Sequence, residues 1–368
     1  SPLSTLYALL LPATIFFLTA APAILILPFA YNISAPRLQM LPSIGAAILW
    51  SKVMITASTI KWPRFNIVAS WATTFTLIGL IIVPSASFVY KHMQQHEMLG
   101  SFWRITANHA VQTPLPPIFI NAPSSMAGQT TLFPLGHEGT VFLVPYIPPE
   151  RMVEVNASKS ADFAFRRQND IRPEMDYIYD VLGDDRDWPQ LLADYPEATI
   201  YNTLYNPRTI HVMPVGSLEL REEIDKWEVK SADYDLKLLN SLVSVNTFRN
   251  TQTIDIALYW HTAEPLPWEW TIFVHILDQS GNLVAQADGH VWANSLPLAQ
   301  WPLNSAIGDN RTVTLETPID TPTVHVGLYN WMTGERIPLE TASGDLLPNH
   351  AFPLPPPLIN TNPSGDTS

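Results

Sequence analysis

Histidines and carboxylates are the first side chains to weigh, because the chain has no cysteine and therefore no thiolate nucleophile, disulfide or cysteine-bound metal. His92 and His96 stand four apart, a spacing that puts two imidazoles on one helix face. A zinc-protease helix needs glutamate directly after the first histidine, where this chain has Met93, so a juxtamembrane helix with interfacial histidines is the simpler expectation. His137-Glu138 could pair a base with an acid, but adjacent residues in a strand or turn point apart, which favours a polar loop. Asp184, Asp185 and Asp187 could be paired catalytic carboxylates. Followed by Trp188-Pro189, they read better as a helix start with Asp187 as N-cap. His275 with Asp278, Asp288 and His290 suggests calcium or zinc, yet His275 shares its strand face with Phe273 and Leu277, which favours a hydrogen-bonded core histidine. No metal site and no cofactor is expected.

Aromatic side chains offer a different chemistry. Trp268 and Trp270 share a face if their segment is extended, and Trp292, Trp301 and Trp331 follow nearby. Indole faces suit sugar rings, so Trp268, Trp270, Trp292 and Trp301 are candidate carbohydrate contacts; the same side chains also build cores.

The elements that would position these residues divide sharply. Phe65 to Tyr90 runs without a formal charge between Arg64 and Lys91, long enough for a membrane helix. Leu3–Tyr31 and about Leu38–Ile60 read as two earlier spans, the second weakened by Lys52. The basic turn Lys61-Trp62-Pro63-Arg64 is placed in the cytoplasm by the positive-inside tendency, which sends everything after Lys91 to the periplasm or cell exterior. Residues 1–91 hold five basic and no acidic side chains. The remainder, with 15 basic and 33 acidic groups, carries −18 of a total of −13. A part this acidic is repelled by phosphate backbones, which excludes nucleic acid as a partner. Because the chain opens at Ser1 without a basic signal-peptide start, Ser1 reads as an internal cut in a longer protein.

The expected fold class is a membrane α-helical segment of about three spans (1–91), then an α+β extracytoplasmic region (92–227), then an antiparallel β-sandwich (228–345). A proline-rich tail (346–368) is expected to be disordered. The sandwich rests on period-2 patterning: Ile254, Ile256, Leu258 and Trp260 alternate with Thr253, Asp255, Ala257 and Tyr259. Trp270–Leu277, a turn at Asp278-Gln279-Ser280-Gly281, Thr312–Glu316 and Val324–Tyr329 continue it.

The runs Leu258-Tyr259-Trp260, Ile272 to Asp278, Leu283 to Asp288, Trp301-Pro302, Val326 to Tyr329 and Thr333 to Leu339 resemble the β-sandwich that ends many bacterial membrane proteins of the GT-C, dolichyl-phosphate-mannose mannosyltransferase type. Pro42 to Trp50 and Tyr201 to Val215 are also similar to parts of that family. The resemblance implies a C-terminal fragment whose exterior domains assist lipid-linked sugar transfer or acceptor binding. The family's catalytic carboxylates sit upstream of this chain, so no catalytic residue carries over. The apolar segments imply a lipid bilayer as partner, the resemblance a polyprenyl-phosphate sugar or glycan, and the scaffold alternative other membrane subunits. A non-enzymatic exterior scaffold or interaction module is the alternative.

Overall fold

The structure is a computed structural model and describes residues 14–18, 47–48, 51, 55, 67–123, 125–128, 139–141, 143, 147–168, 171–172, 177–178, 187–205, 209–221 and 224–360. The chain divides into two units: residues 1–100, 125–142 and 170–180 in the first, and 101–124, 143–169 and 181–368 in the second.

Helix α1, Ile67–Gln112, begins in the uncharged run and ends well beyond it. This corrects the expectation of a three-span membrane segment: among the described residues no helix is long and apolar enough to cross a membrane. The uncharged run is only the first part of a 46-residue helix, and the later turns of that helix are of a different kind. They carry Glu97 and Arg104, and they bury Phe102, Trp103, Thr106, Ala107 and Ala110, spaced three and four apart, in protein. The first two expected spans lie almost wholly outside the described residues, as do His137, Glu138, Asp184 and Asp185.

In chain order the strands are β1 (Pro117–Pro123), β2 (Ser125–Gly128), β3 (Gly139–Val141), β4 (Ala164–Gln168), β5 (Ile171–Arg172), β6 (Tyr177–Ile178), β7 (Ala198–Tyr205), β8 (Ile210–Leu220) and β9 (Val229–Ser231). They continue as β10 (Leu236–Phe248), β11 (Thr251–Thr262), β12 (Trp270–Leu277), β13 (Leu283–Gln286), β14 (Ser305–Leu315), β15 (Thr323–Asn330), β16 (Leu339–Thr341), β17 (Phe352–Pro353) and β18 (Leu358–Asn360). Helices α2 (Pro149–Ala157), α3 (Trp188–Asp194) and the short α4 (Val291–Asn294) lie between them. In the first unit, β3-β2-β6-β5 form a small antiparallel sheet.

The second unit holds two sheets. The larger has ten strands, ordered β16-β9-β10-β11-β14-β8-β7-β1-β4 with β18 beside β10. It is mixed, because β1 runs parallel to β4 and to β7, and β18 parallel to β10. Parallel neighbours need crossovers; α2 lies in the connection from β1 to β4, and α3 in the one from β4 to β7. This corrects the expected fold class a second time. Instead of an α+β region followed by a purely antiparallel sandwich, β14 pairs with β8, so one hydrogen-bonded sheet runs through both. The second sheet, β13-β12-β15-β17, is antiparallel.

The two sheets share a core. Ile254, Ile256, Leu258 and Trp260 of β11 belong to the same buried cluster as Ile272, Val274 and Ile276 of β12 and Val324, Val326 and Leu328 of β15. Each such side chain contributes roughly 1.5–3 kcal/mol on burial, which fixes both registers, since a slip of one residue would turn every one of them to solvent. Helix α3 joins this cluster through Trp188, Leu191 and Leu192; Asp187 caps it, its Oδ1 accepting from Gln190 N at 3.0 Å. The last turns of α1 cover the β1 and β4 end, where Trp103 meets Phe165 at 5.8 Å and the His109 ring lies 4.4 Å from that of Tyr201.

Candidate functional site

Two places in the second unit gather the side chains singled out from sequence. The first is a fork in the large sheet. Strand β8 pairs with β14 only as far as Gly216 and Asp309. Beyond that point β8 stays with β7, and β14 stays with β11. The segment 287–294 closes the fork. Trp292, Ala293 and Asn294 there have φ of 56°, 55° and 65°, three successive left-handed residues, a conformation costing about 1–2 kcal/mol for each L-residue.

Anchors hold this turn. Trp292 is fully buried; its Nε1 donates to Gly308 O at 2.8 Å and its backbone N to Asp309 Oδ1 at 2.9 Å. A Cβ on Gly216 would lie 2.5 Å from Trp292 Nε1, so only glycine leaves room for the indole. Asp309 also takes a bond from Arg311 Nε at 2.7 Å, and the Arg311 guanidinium donates onward to the carbonyls of Ala287 and Gly289. Burial, followed by repulsion from Arg311, holds the His290 imidazole below its usual pKa. A cleft of about 340 Å³ opens here, with Asn202, Asn294, Asn310 and Thr312 beside Leu204 and Met213. Trp301 is likewise core, 5% exposed and 6.4 Å from Trp260. Trp292 and Trp301 therefore spend their ring faces on protein.

The second place is one end of the smaller sheet. Trp268 precedes β12 and Trp331 follows β15; they are 59% and 51% exposed. Their rings lie 5.4 Å apart at 65°, and Trp331 N donates to Glu269 O at 3.0 Å. The pair is built by register: Trp270 lies opposite Asn330, so the residues just outside that rung meet. Asn330 Oδ1 accepts from Met332 N and Thr333 N, folding the turn back under Trp331. Trp270 is half-buried and packs edge-on to Tyr234 at 6.3 Å. Trp331 was the aromatic that the four carbohydrate-contact candidates omitted; its position directly after an alternating strand was the available signal.

Of the remaining candidates, His96 is exposed on α1. His275 Nε2 lies 3.6 Å from Asp288 Oδ2, while Asp278 caps its own turn by accepting from Ser280 N and Asn282 N. Among the described residues no group of three or more histidines and carboxylates is placed to hold a metal ion.

No family model matches the chain, and no curated protein matches it. Solved structures give partial likenesses. A β-glucuronidase from glycoside hydrolase family 2 is 14% identical with a TM-score of 0.22, over 31% of this chain and 11% of that one. The C-terminal domain of Wzt is 10% identical with a TM-score of 0.18, over 36% of this chain and 74% of that domain. This chain thus spans only a small part of the glucuronidase, and likeness at this level bears on neither fold nor activity.

Proposed function

We propose that the two-sheet unit is a glycan-binding module that contacts neutral sugars through Trp268 and Trp331. The observation that carries this reading is the exposure of that pair: two indoles, each more than half open to solvent, are held edge to face at a fixed sheet end. Leaving large aromatic rings in water costs free energy that a ligand can recover by covering them, and their faces suit the C–H face of a sugar ring. The net charge of −13 favours a neutral glycan over a polyanionic one. The resemblance of the Leu258–Leu339 runs to a sandwich found in sugar-transferring proteins supports the same ligand class. The reading assigns binding and names no catalytic residue.

The test is binding of the full chain to an array of neutral oligosaccharides, followed by titration of the best ligand with tryptophan fluorescence as readout. Trp268→Ala and Trp331→Ala should each weaken binding by about threefold to tenfold, as loss of one aromatic contact does. If no neutral glycan binds, or if both variants bind as the parent does, the reading is wrong.

A further inference from the structure

The outer face of the smaller sheet holds a second cluster, separate from the tryptophan pair. On β12 the core takes Ile272, Val274 and Ile276, which turns Phe273, His275 and Leu277 to the other side. On β15 the same alternation turns out His325 and Gly327. Register sets His275 directly opposite His325, and Phe273 opposite Gly327. A Cβ on Gly327 would fall 2.5 Å from Phe273 Cζ, so the missing side chain is what lets the phenyl ring lie across the strand. Over that ring, 4.3 Å from its centroid, sits the Arg336 guanidinium, whose Nη1 donates to Asn349 O at 3.1 Å. The segment 348–353 forms the far wall, leaving a cleft of about 260 Å³.

Charge makes this cleft unlike its surroundings. The chain as a whole is strongly acidic, yet the residues lining the cleft include one guanidinium, two imidazoles and no carboxylate. Asp288 lies 3.6 Å from His275 Nε2, and its Oδ1 already accepts from Val274 N at 2.9 Å. Phe273, Leu277 and Pro353 supply apolar wall.

We propose that this cleft binds a small oxyanion, a phosphate monoester or carboxylate on a compact apolar body, with Arg336 as the charged donor and His325 and His275 as the flanking donors. A guanidinium presents a planar fork that matches two oxygens of one anion, and charge-assisted bonds of this kind are about twice as strong as neutral ones. The aromatic face beneath fixes the fork, so little side-chain freedom remains to be lost on binding. A cleft smaller than the usual range of about 300–1,000 Å³ for ligand pockets restricts the guest to a small one.

The groups facing the anion also set its pH dependence. These are His275 from β12, His325 from β15 and Arg336 over Phe273, with Asp288 behind His275; His350 belongs to the covering segment but does not line the cleft. Burial first, and then repulsion from His275 and Arg336, holds His325 below its usual pKa. A bound anion offsets that repulsion, so binding takes up a proton and tightens as pH falls through the histidine range.

The experiment is titration of the full chain with inorganic phosphate, phenyl phosphate, acetate and benzoate, followed by histidine side-chain NMR and calorimetry. Binding of at least one anion below about 10 mM is expected, with the aryl forms tighter than the bare ions. Affinity should rise from about pH 8 to about pH 6. Arg336→Gln should weaken binding by about tenfold or more, with Arg336→Lys intermediate. His325→Gln, which keeps a polar side chain on the same face, should flatten the pH profile. Phosphates binding better than carboxylates would identify a phosphate ester as the guest, and the reverse order a carboxylic acid. No binding of any of the four, or binding unchanged in both Arg336→Gln and His325→Gln, overturns the proposal. Trp268→Ala should leave anion binding intact, so this result stands apart from the glycan test.

Discussion

Trp292 and Trp331 are the same residue in opposite settings within one unit. Trp292 sits under the fork with both of its N–H groups bonded, inside a turn whose backbone is strained. Trp331 stands at a sheet end, more than half exposed, over a turn that is locally satisfied by Asn330. The first tryptophan holds the fold together, and the second depends on the fold to hold it out. The difference teaches that a strained loop beside a cleft does not by itself mark a binding surface. Here the left-handed turn is the means by which an indole is driven between two strands that separate.

The sharpest way to break that comparison is to remove the buried ring. Trp292→Ala leaves a large cavity and orphans Gly308 O, and should cost about 3–5 kcal/mol, read as a lower urea midpoint with an unchanged slope. A midpoint within experimental error of the parent would show that the fork does not rely on its anchor. Next in size is the ion pair beside it, whose Asp309 carboxyl is 1% exposed and Arg311 side chain 9%. Asp309→Asn leaves a buried guanidinium without its counter-charge and should cost about 3 kcal/mol. Replacing both partners, as Asp309→Leu with Arg311→Met, should recover part of the loss; no recovery would mean that Arg311's bonds to Ala287 and Gly289 matter more than its charge.

Sequence made part of this visible. The alternation of Ile254, Ile256, Leu258 and Trp260 identified the core face of β11, because a half-buried strand writes its burial into every second residue. The cap at Asp187 was equally legible, since it is a local hydrogen bond. Trp292 was not. Its burial is decided by Gly216 and Gly308, remote in sequence, and its neighbours Ala293 and Asn294 carry no period. The uncharged run before Lys91 suggested lipid because hydropathy reports apolar length and not what covers it. Along that run Phe75, Ile82, Val83 and Val89 are exposed, and further on in the same helix Phe102, Trp103, Thr106 and Ala110 bury against protein. The pairing of His275 with His325 also needed a register that sequence does not print.

A smaller effect sharpens the strained side of the comparison. Ala293 has φ 55° and an exposed side chain, so glycine at this position removes a steric cost at the loss of only one methyl group. Ala293→Gly should therefore stabilise by about 0.5–1 kcal/mol, against the usual direction for glycine substitutions. Destabilisation of that size would show that the turn is not under strain.

The smallest effect is expected at the exposed pair, and it tests the other half of the comparison. Trp331 buries about half of its surface and packs edge to face on Trp268, and its backbone N–H bond to Glu269 survives any side-chain change. An edge-to-face pair contributes about 0.5–1.5 kcal/mol beyond area burial, and in this setting solvent already claims much of both rings. Trp331→Ala should therefore shift the unfolding free energy by about 1 kcal/mol or less, while the same substitution weakens glycan binding severalfold. A stability loss approaching that of Trp292→Ala would mean that the ring is a structural anchor despite its exposure. The surface assigned to sugar would then be a consequence of packing, and the contrast between the two tryptophans would vanish.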